Sequence, residues 1–415
     1  MAGGQPWARV ARAPRRYDPD MAATARSADV AIVGGGIVGT ALAAELARRG
    51  ASVALFERAS IAAGASGRNS GAVWYPSDPV LGALYRQTLA RYRSLAAEVR
   101  SELAADDPLR SFRLDAEPAG ILTLGGDAGA LRSLAGRISA RNPELGAAYL
   151  GPDDVRRLEP GLAEGLAAVR LDIGFPVAPA SATHAFAALA RARGARLHEG
   201  VPVRLVVGGG ASPALETPAG SVSPGAVVIA AGPWTPGIVD PSGAWRPILP
   251  FWGVIVELAL AEPPRHVLEE ADVDAAIDPD AGLAGEADGA VGFSLVTASG
   301  RSSLGSTFLP SEPDPRAYEP RLRVGGERYL PAIKATPTLG LRACARPLAL
   351  DGRPLVGPLP GMDRVFVAAG HGPWGISTGP ASAAHVAALA LGEPDLRPPD
   401  VAEATDAARF GSPVA

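Results

Sequence analysis

The chain has 415 residues, 47% apolar and 20% charged, which is long enough for at least two packed domains. With 39 basic residues against 43 acidic ones, no cationic surplus is left to neutralise a phosphate backbone, so nucleic acid is not an expected partner. One cysteine, Cys344, excludes an internal disulfide and any thiolate cluster, and five scattered histidines show no ligand spacing, so no metal centre is expected.

Residues 1–26 are rich in Ala, Arg and Pro and lack the apolar core of a secretory signal, which predicts a disordered tail. Arg15-Arg16 is followed by Asp18, Pro19 and Asp20, where a twin-arginine signal would turn apolar. No uninterrupted apolar run reaches the roughly 18 residues of a membrane span, so no transmembrane segment is expected. The predicted location is the cytoplasm, with peripheral membrane attachment left open.

Val30 to Val33 reads as a short buried strand, followed by Gly34-Gly35-Gly36-Ile37-Val38-Gly39 and a helical pattern through Ala47. Ser52 to Phe56 resumes as a strand ending at Glu57, completing a βαβ unit. In such a unit Gly34 permits the tight turn, Gly36 lets the backbone approach a pyrophosphate, and Gly39 lets helix and strand pack closely. Glu57 stands where a carboxylate can accept from ribose hydroxyls. These features point to a dinucleotide and do not separate FAD from NAD.

The next stretch, Ala65-Ser66-Gly67-Arg68-Asn69-Ser70-Gly71-Ala72, is small and polar. It suits either contact with a cofactor or an ordinary loop. Leu81 to Leu103 carries an amphipathic helical pattern, and a second helix is predicted over Ser181 to Arg193. Val227 to Ala231 is an apolar strand entering a Gly232-Pro233-Trp234 turn. Leu249 to Ala259 and Gly292 to Thr307 suggest antiparallel strands, the latter turning at Ser299-Gly300-Arg301. Between them, the acidic segment Glu262 to Gly289 reads as a solvated loop, with a lid as the alternative. Ala368 to Ser377 reads as strand, glycine-rich turn and helix start.

Taken together, Gly34 to Gly39, Glu57-Arg58 and Gly64 to Gly71 resemble the D-amino-acid oxidase superfamily of FAD-dependent oxidoreductases, which includes glycine oxidase, D-amino-acid dehydrogenase and sarcosine oxidase. Arg346-Pro347 with Asp351 to Gly357, and Gly370-His371-Gly372-Pro373-Trp374-Gly375-Ile376, are similar to its C-terminal signatures. The resemblance implies an α/β and α+β fold: a Rossmann-like βαβ FAD-binding domain of the glutathione-reductase type, with a mixed-sheet substrate domain inserted. The FAD domain would combine residues 27–95, 150–236 and 340–395, the substrate domain 96–149 and 237–339, and 396–415 would be a tail.

The resemblance also implies roles. Gly34, Gly36, Ile37, Val38, Gly39, Glu57, Arg58, Ser66, Arg68, Asn69, Ser70 and Gly71 would hold FAD. Val203 would meet adenine through its backbone, and Ala231, Gly232 and Trp234 would lie beneath the cofactor. Gly370, His371, Gly372, Gly375 and Ile376 would bring a helix N-terminus to the flavin end that gains negative charge on reduction. Arg346 would clamp a substrate carboxylate, with pairing to Asp351 or solvation as the alternative and Arg342 in reserve. His371 and Trp374 are placed in the substrate region, each with a purely structural alternative. Cys344 stands where sarcosine oxidases attach flavin covalently, so it is either an 8α-cysteinyl link or a buried free thiol.

The implied reaction oxidises the C–N bond of a small amino acid or secondary amine, passing electrons to oxygen, a quinone or a redox protein. The lysine that sarcosine oxidases use toward oxygen has no counterpart, since Lys334, the only lysine, is misplaced. Oxidation of a 2-hydroxy acid and a flavin-carrying subunit of a hetero-oligomeric dehydrogenase are the competing readings.

Overall fold

The computed structural model describes residues 28–76, 78–206, 213–271 and 291–413. The expected N-terminal tail and most of the 262–289 segment lie outside the described residues. The part of that segment within them includes a strand, Val267–Glu270, where a loop was expected.

Two large sheets organise the chain. The first runs in the order Leu355–Pro358, Val365–Ala369, Ala226–Ile229, Val30–Val33, Val53–Glu57, Arg196–Glu199. All its pairings are parallel except the one between Leu355–Pro358 and Val365–Ala369. Val30–Val33 is buried throughout, as a central strand covered on both faces must be. Helices Ile37–Arg48, Pro79–Glu102, Ser181–Ala192 and Gly375–Ala390 cover one face, with Leu42, Leu46, Tyr92, Phe186 and Val386 in their shared core. The helix expected from Leu81 begins at Pro79, where Asp78 Oδ1 accepts from the Leu81 N–H at 3.0 Å.

Parallel pairing has a direct consequence for the site. Val30–Val33, Ala226–Ile229 and Val365–Ala369 end on the same edge of the sheet, so the turns at Gly34, Ala230–Gly232 and Gly370 emerge side by side. The helices that follow the first and last of these cross near their first turns. A Cβ on Gly379 would lie 2.9 Å from Val38 Cγ2.

The second sheet has the order Thr338–Ala349, Ile248–Leu258, Arg301–Thr307, Val291–Ala298, Val267–Glu270, Ile121–Gly125, Ala167–Leu171, Ala148–Leu150. Alternation divides its long strands. Val254, Val256, Leu304 and Leu341 face a core with Leu322 of the helix Pro315–Glu327 and Ile333 of the turn that follows it. Arg342, Cys344 and Arg346 project to the other face, opposite Ile255, Gly253 and Phe251.

The structure departs from three of the expected boundaries, two of them by sheet membership. Thr338–Ala349 and Ala167–Leu171 belong to the second sheet, although residues from 340 and residues 150–236 were assigned to the cofactor domain. The segment 396–415, expected as a tail, carries the helix Pro399–Thr405 and a 3-10 turn Ala407–Phe410. Val401 and Ala407 are buried there, and Arg409 Nε meets Asp351 Oδ2 at 2.6 Å. A few apolar anchors, this ion pair and the bonds of Arg397 to the Val356 carbonyl and of Arg409 to the Arg353 carbonyl dock a segment whose polar composition reads as a tail.

Candidate active site

The glycine turn is shaped by close approach. A Cβ on Gly39 would overlap the Gly34 carbonyl oxygen, and one on Gly34, whose φ is +115°, would lie 2.8 Å from the Ala230 carbonyl carbon. Gly36 caps the helix Ile37–Arg48 in extended conformation, and no acidic residue occupies its first turn. The positive end of the helix therefore meets this turn with no carboxylate in its own first turn. Ser66 Oγ accepts from the Ile37 N–H at 2.9 Å and stands 3.0 Å from where a Gly36 Cβ would be. Glu57, at the end of its strand, accepts from Gly35 N–H at 2.7 Å and Ala59 N–H at 2.8 Å. Val201 N–H donates to the Glu57 carbonyl at 2.9 Å, which brings Val203 alongside.

Arg58 lies 3.8 Å from the centroid of the Trp234 ring, joining the second strand to the turn after Ala231 and Gly232. Asn69 Oδ1 accepts from Gly71 N–H at 2.8 Å, and its Nδ2 donates to the Ser66 carbonyl at 2.7 Å, so the Ser66 to Gly71 segment is internally braced. Ser70 is half-buried within it. Arg68 Nη1 donates to the Ala343 carbonyl at 3.3 Å, and Arg342 Nη2 donates to the Asn69 carbonyl at 3.3 Å. These reciprocal bonds lay the segment against the Arg342–Arg346 strand. The cradle, the braced segment and the second sheet thus meet.

On that face, Arg346 Nη1 donates to the Thr307 carbonyl at 2.8 Å and Nη2 to Ser306 Oγ at 2.5 Å. Its guanidinium carbon lies 4.8 Å from the Phe308 ring centroid. Burial pushes the guanidinium below its ordinary value, yet an arginine stays charged at any working pH. Asp351 pairs with Arg409, and among the described residues no carboxylate forms an ion pair with Arg346. Arg342 is different: Glu257 Oε2 stands 2.5 Å from its Nη1 and Ser303 Oγ 2.7 Å from its Nη2. Cys344 is 4% exposed between the two arginines, and burial pushes its thiol up.

Gly370 and Gly372 have φ of +88° and +55°, the geometry that turns the last parallel strand into the helix from Gly375. The Ile376 carbonyl accepts from Tyr92 Oη at 2.7 Å. The His371 side chain, placed in the substrate region by sequence, is 1% exposed and its Nε2 lies 3.0 Å from Ser382 Oγ. Burial pushes its pKa down to about 4, so it is neutral at physiological pH. Trp374 packs with Val80, Leu81 and Leu84 and meets Trp74 at 5.9 Å between ring centroids. Both side chains contact neighbouring helices, and the turn that carries them leaves the same sheet edge as the Gly34 turn.

Sequence reasoning missed Gly253, Ser306, Thr307 and Phe308. An isolated glycine inside an apolar strand is the one signal that singles out Gly253.

The model of the family described as FAD dependent oxidoreductase, DAO, matches residues 29–389. The chain belongs to the DAO family of FAD-dependent oxidoreductases. Among relatives of this DAO-family chain, the glycine oxidase of Geobacillus kaustophilus (strain HTA426) is 28% identical over 396 residues, covering 87% of this chain and 92% of that protein. The glycine oxidase of Bacillus licheniformis is 25% identical over 384 residues, covering 88% and 94%. The crystal structure of glycine oxidase from Geobacillus kaustophilus superposes with a TM-score of 0.77 at 26% identity, covering 90% of this chain and 97% of that one. The DAO-family chain is therefore an FAD enzyme, and none of its described helices is long and apolar enough to cross a membrane.

Proposed function

We propose that the enzyme oxidises the C–N bond of a small amino acid, or of a secondary amine bearing a carboxylate, to an imine that water hydrolyses. FAD, when bound, supplies the two-electron acceptor for the hydride leaving the substrate carbon. The observation that carries the reading is Arg346, a desolvated guanidinium with no carboxylate partner among the described residues. Two of its five N–H groups are engaged by Thr307 and Ser306, and the remaining three can take a carboxylate in bidentate fashion.

The rest of the chain's work is positional. Gly34, Gly36 and Gly39 would keep side chains out of the pyrophosphate cradle, with the Ile37 helix end toward it, while Glu57 would turn its carboxylate to ribose. Arg58, Val203 and Trp234 would border the adenosine end. Ser66 to Gly71 and the Gly370 to Ile376 turn would flank the flavin. Arg346 holds the substrate from the second sheet, and the amine needs no general base if it enters neutral. His371, buried and neutral, takes no proton-transfer role. Lys334 lies on the short 3-10 turn Pro331–Ala335, whose Ile333 packs on the sheet face away from Arg346. Oxygen, a quinone and a redox protein remain the acceptor classes.

Anaerobic addition of amino acids, N-substituted amino acids and 2-hydroxy acids to the flavoprotein tests this. Bleaching of the flavin band by the nitrogen compounds supports the reading. Bleaching by hydroxy acids alone, or by neither class, overturns it. Repeating the productive case in air identifies oxygen as acceptor if the colour returns.

A further inference from the structure

Gly253 sits in the middle of the strand Ile248–Leu258, paired with Cys344 of Thr338–Ala349 and flanked on its other side by Arg301–Thr307. Nothing in a central strand calls for glycine, which weakens the pairing and leaves no side chain to pack. A Cβ built there would meet three atoms first, all of the Arg346 guanidinium: Nη2, Cζ at 2.5 Å and Nη1 at 2.6 Å. Arg346 springs from the position beside Phe251, one pleat along, so its side chain bends over Gly253 to reach Thr307 and Ser306.

We propose that Gly253 is a positioning residue for the substrate carboxylate: the space left by its missing side chain is where the Arg346 guanidinium lies. The inference rests on the reading of Arg346 as the clamp. Phe308 borders the guanidinium, Ser306 and Thr307 orient it, and Gly253 gives it room. A methyl at 253 would push against the far end of a flexible side chain, not against backbone. The strand survives such a change, while the guanidinium swings out of register with both the Thr307 carbonyl and an incoming carboxylate. A displacement of about 1 Å at a positioning group costs on the order of 100-fold.

The test uses the flavin-loaded full chain and acetate, a carboxylate with no nitrogen to oxidise, titrated through its perturbation of the flavin visible band. Gly253→Ala is expected to raise the acetate Kd on the order of 100-fold, with flavin content and Tm as in the parent. In an Arg346→Ala background the same substitution should change the Kd less than about twofold, because independent sites add and coupled ones do not. A Gly253→Ala protein that binds acetate like the parent overturns the proposal. So does one that loses its fold or flavin, or one whose effect persists undiminished without Arg346. If Arg346→Ala itself binds acetate normally, the clamp reading fails, which is a separate result.

Discussion

Cys344 faces Gly253 across the antiparallel pair, with Arg342 and Arg346 two positions to either side on the same strand. The thiol is thus enclosed by the site's own architecture, and burial holds it protonated more firmly than a free cysteine. A thiol must ionise to attack, and the three neighbouring arginines oppose burial without overcoming it. The expected outcome is non-covalent FAD: precipitation of the holoenzyme with acid should release all the yellow colour to the supernatant. Colour that stays with the pellet, and is lost in Cys344→Ala, would establish the link instead.

Arg346→Lys keeps a positive charge and loses the planar fork. An ammonium cannot hold the Thr307 carbonyl, Ser306 Oγ and both oxygens of a carboxylate in one geometry. We expect kcat/KM to fall by roughly two decades, mostly through KM, and Arg346→Ala to cost about 3 to 5 kcal/mol. Steady-state kinetics with the preferred substrate decide it; unchanged kcat/KM removes Arg346 from substrate binding.

His371 links stability to pH. Its folded pKa of about 4 lies below the ordinary 6.5, so between these values the unfolded chain takes up a proton that the native one refuses. Its contribution is complete above about pH 6.5 and is lost as pH falls toward 4, amounting to on the order of 3 kcal/mol. His385, also buried and pushed down to about 4, acts in the same direction. The urea midpoint should drop between pH 7.5 and pH 5, and less steeply in His371→Asn. The acid limb of kcat should be unchanged by that substitution, since a neutral buried imidazole does not titrate there.

Gly39→Ala should be costly where Gly253→Ala is not. Its methyl would overlap the Gly34 carbonyl oxygen, a backbone atom that cannot swing aside. Overpacking of this kind costs about 1–3 kcal/mol, and the cradle would open with it. The expected result is a lower Tm together with a reduced ratio of flavin to protein absorbance. A variant with parental values for both would show that the helix does not need to approach so closely.

The contrast between those two glycines shows what was legible. Gly34, Gly36 and Gly39 form a local pattern: strand, turn and helix follow within a dozen residues, so spacing alone reveals the cradle and Glu57 beyond it. The spacing of two between Arg342, Cys344 and Arg346 becomes a shared face only because the structure makes Thr338–Ala349 a strand. The docking of residues 396–413 was hidden, because it depends on a few buried residues and on Arg397 and Arg409 reaching the Val356 and Arg353 carbonyls and Asp351.

By itself, then, the order of residues determined the βαβ glycine-turn unit and the family's C-terminal signatures, because each is written in near neighbours along the chain. Only the tertiary structure decided that Arg346 lies over Gly253 and bonds to Ser306 and Thr307, that Asp351 belongs to Arg409, and that the His371 ring turns to Ser382. The physical reason is that a strand's own pattern says which way its side chains point. Which other strands and helices those side chains meet depends on pairings between segments far apart in sequence, where many registers satisfy the same alternation and packing selects one.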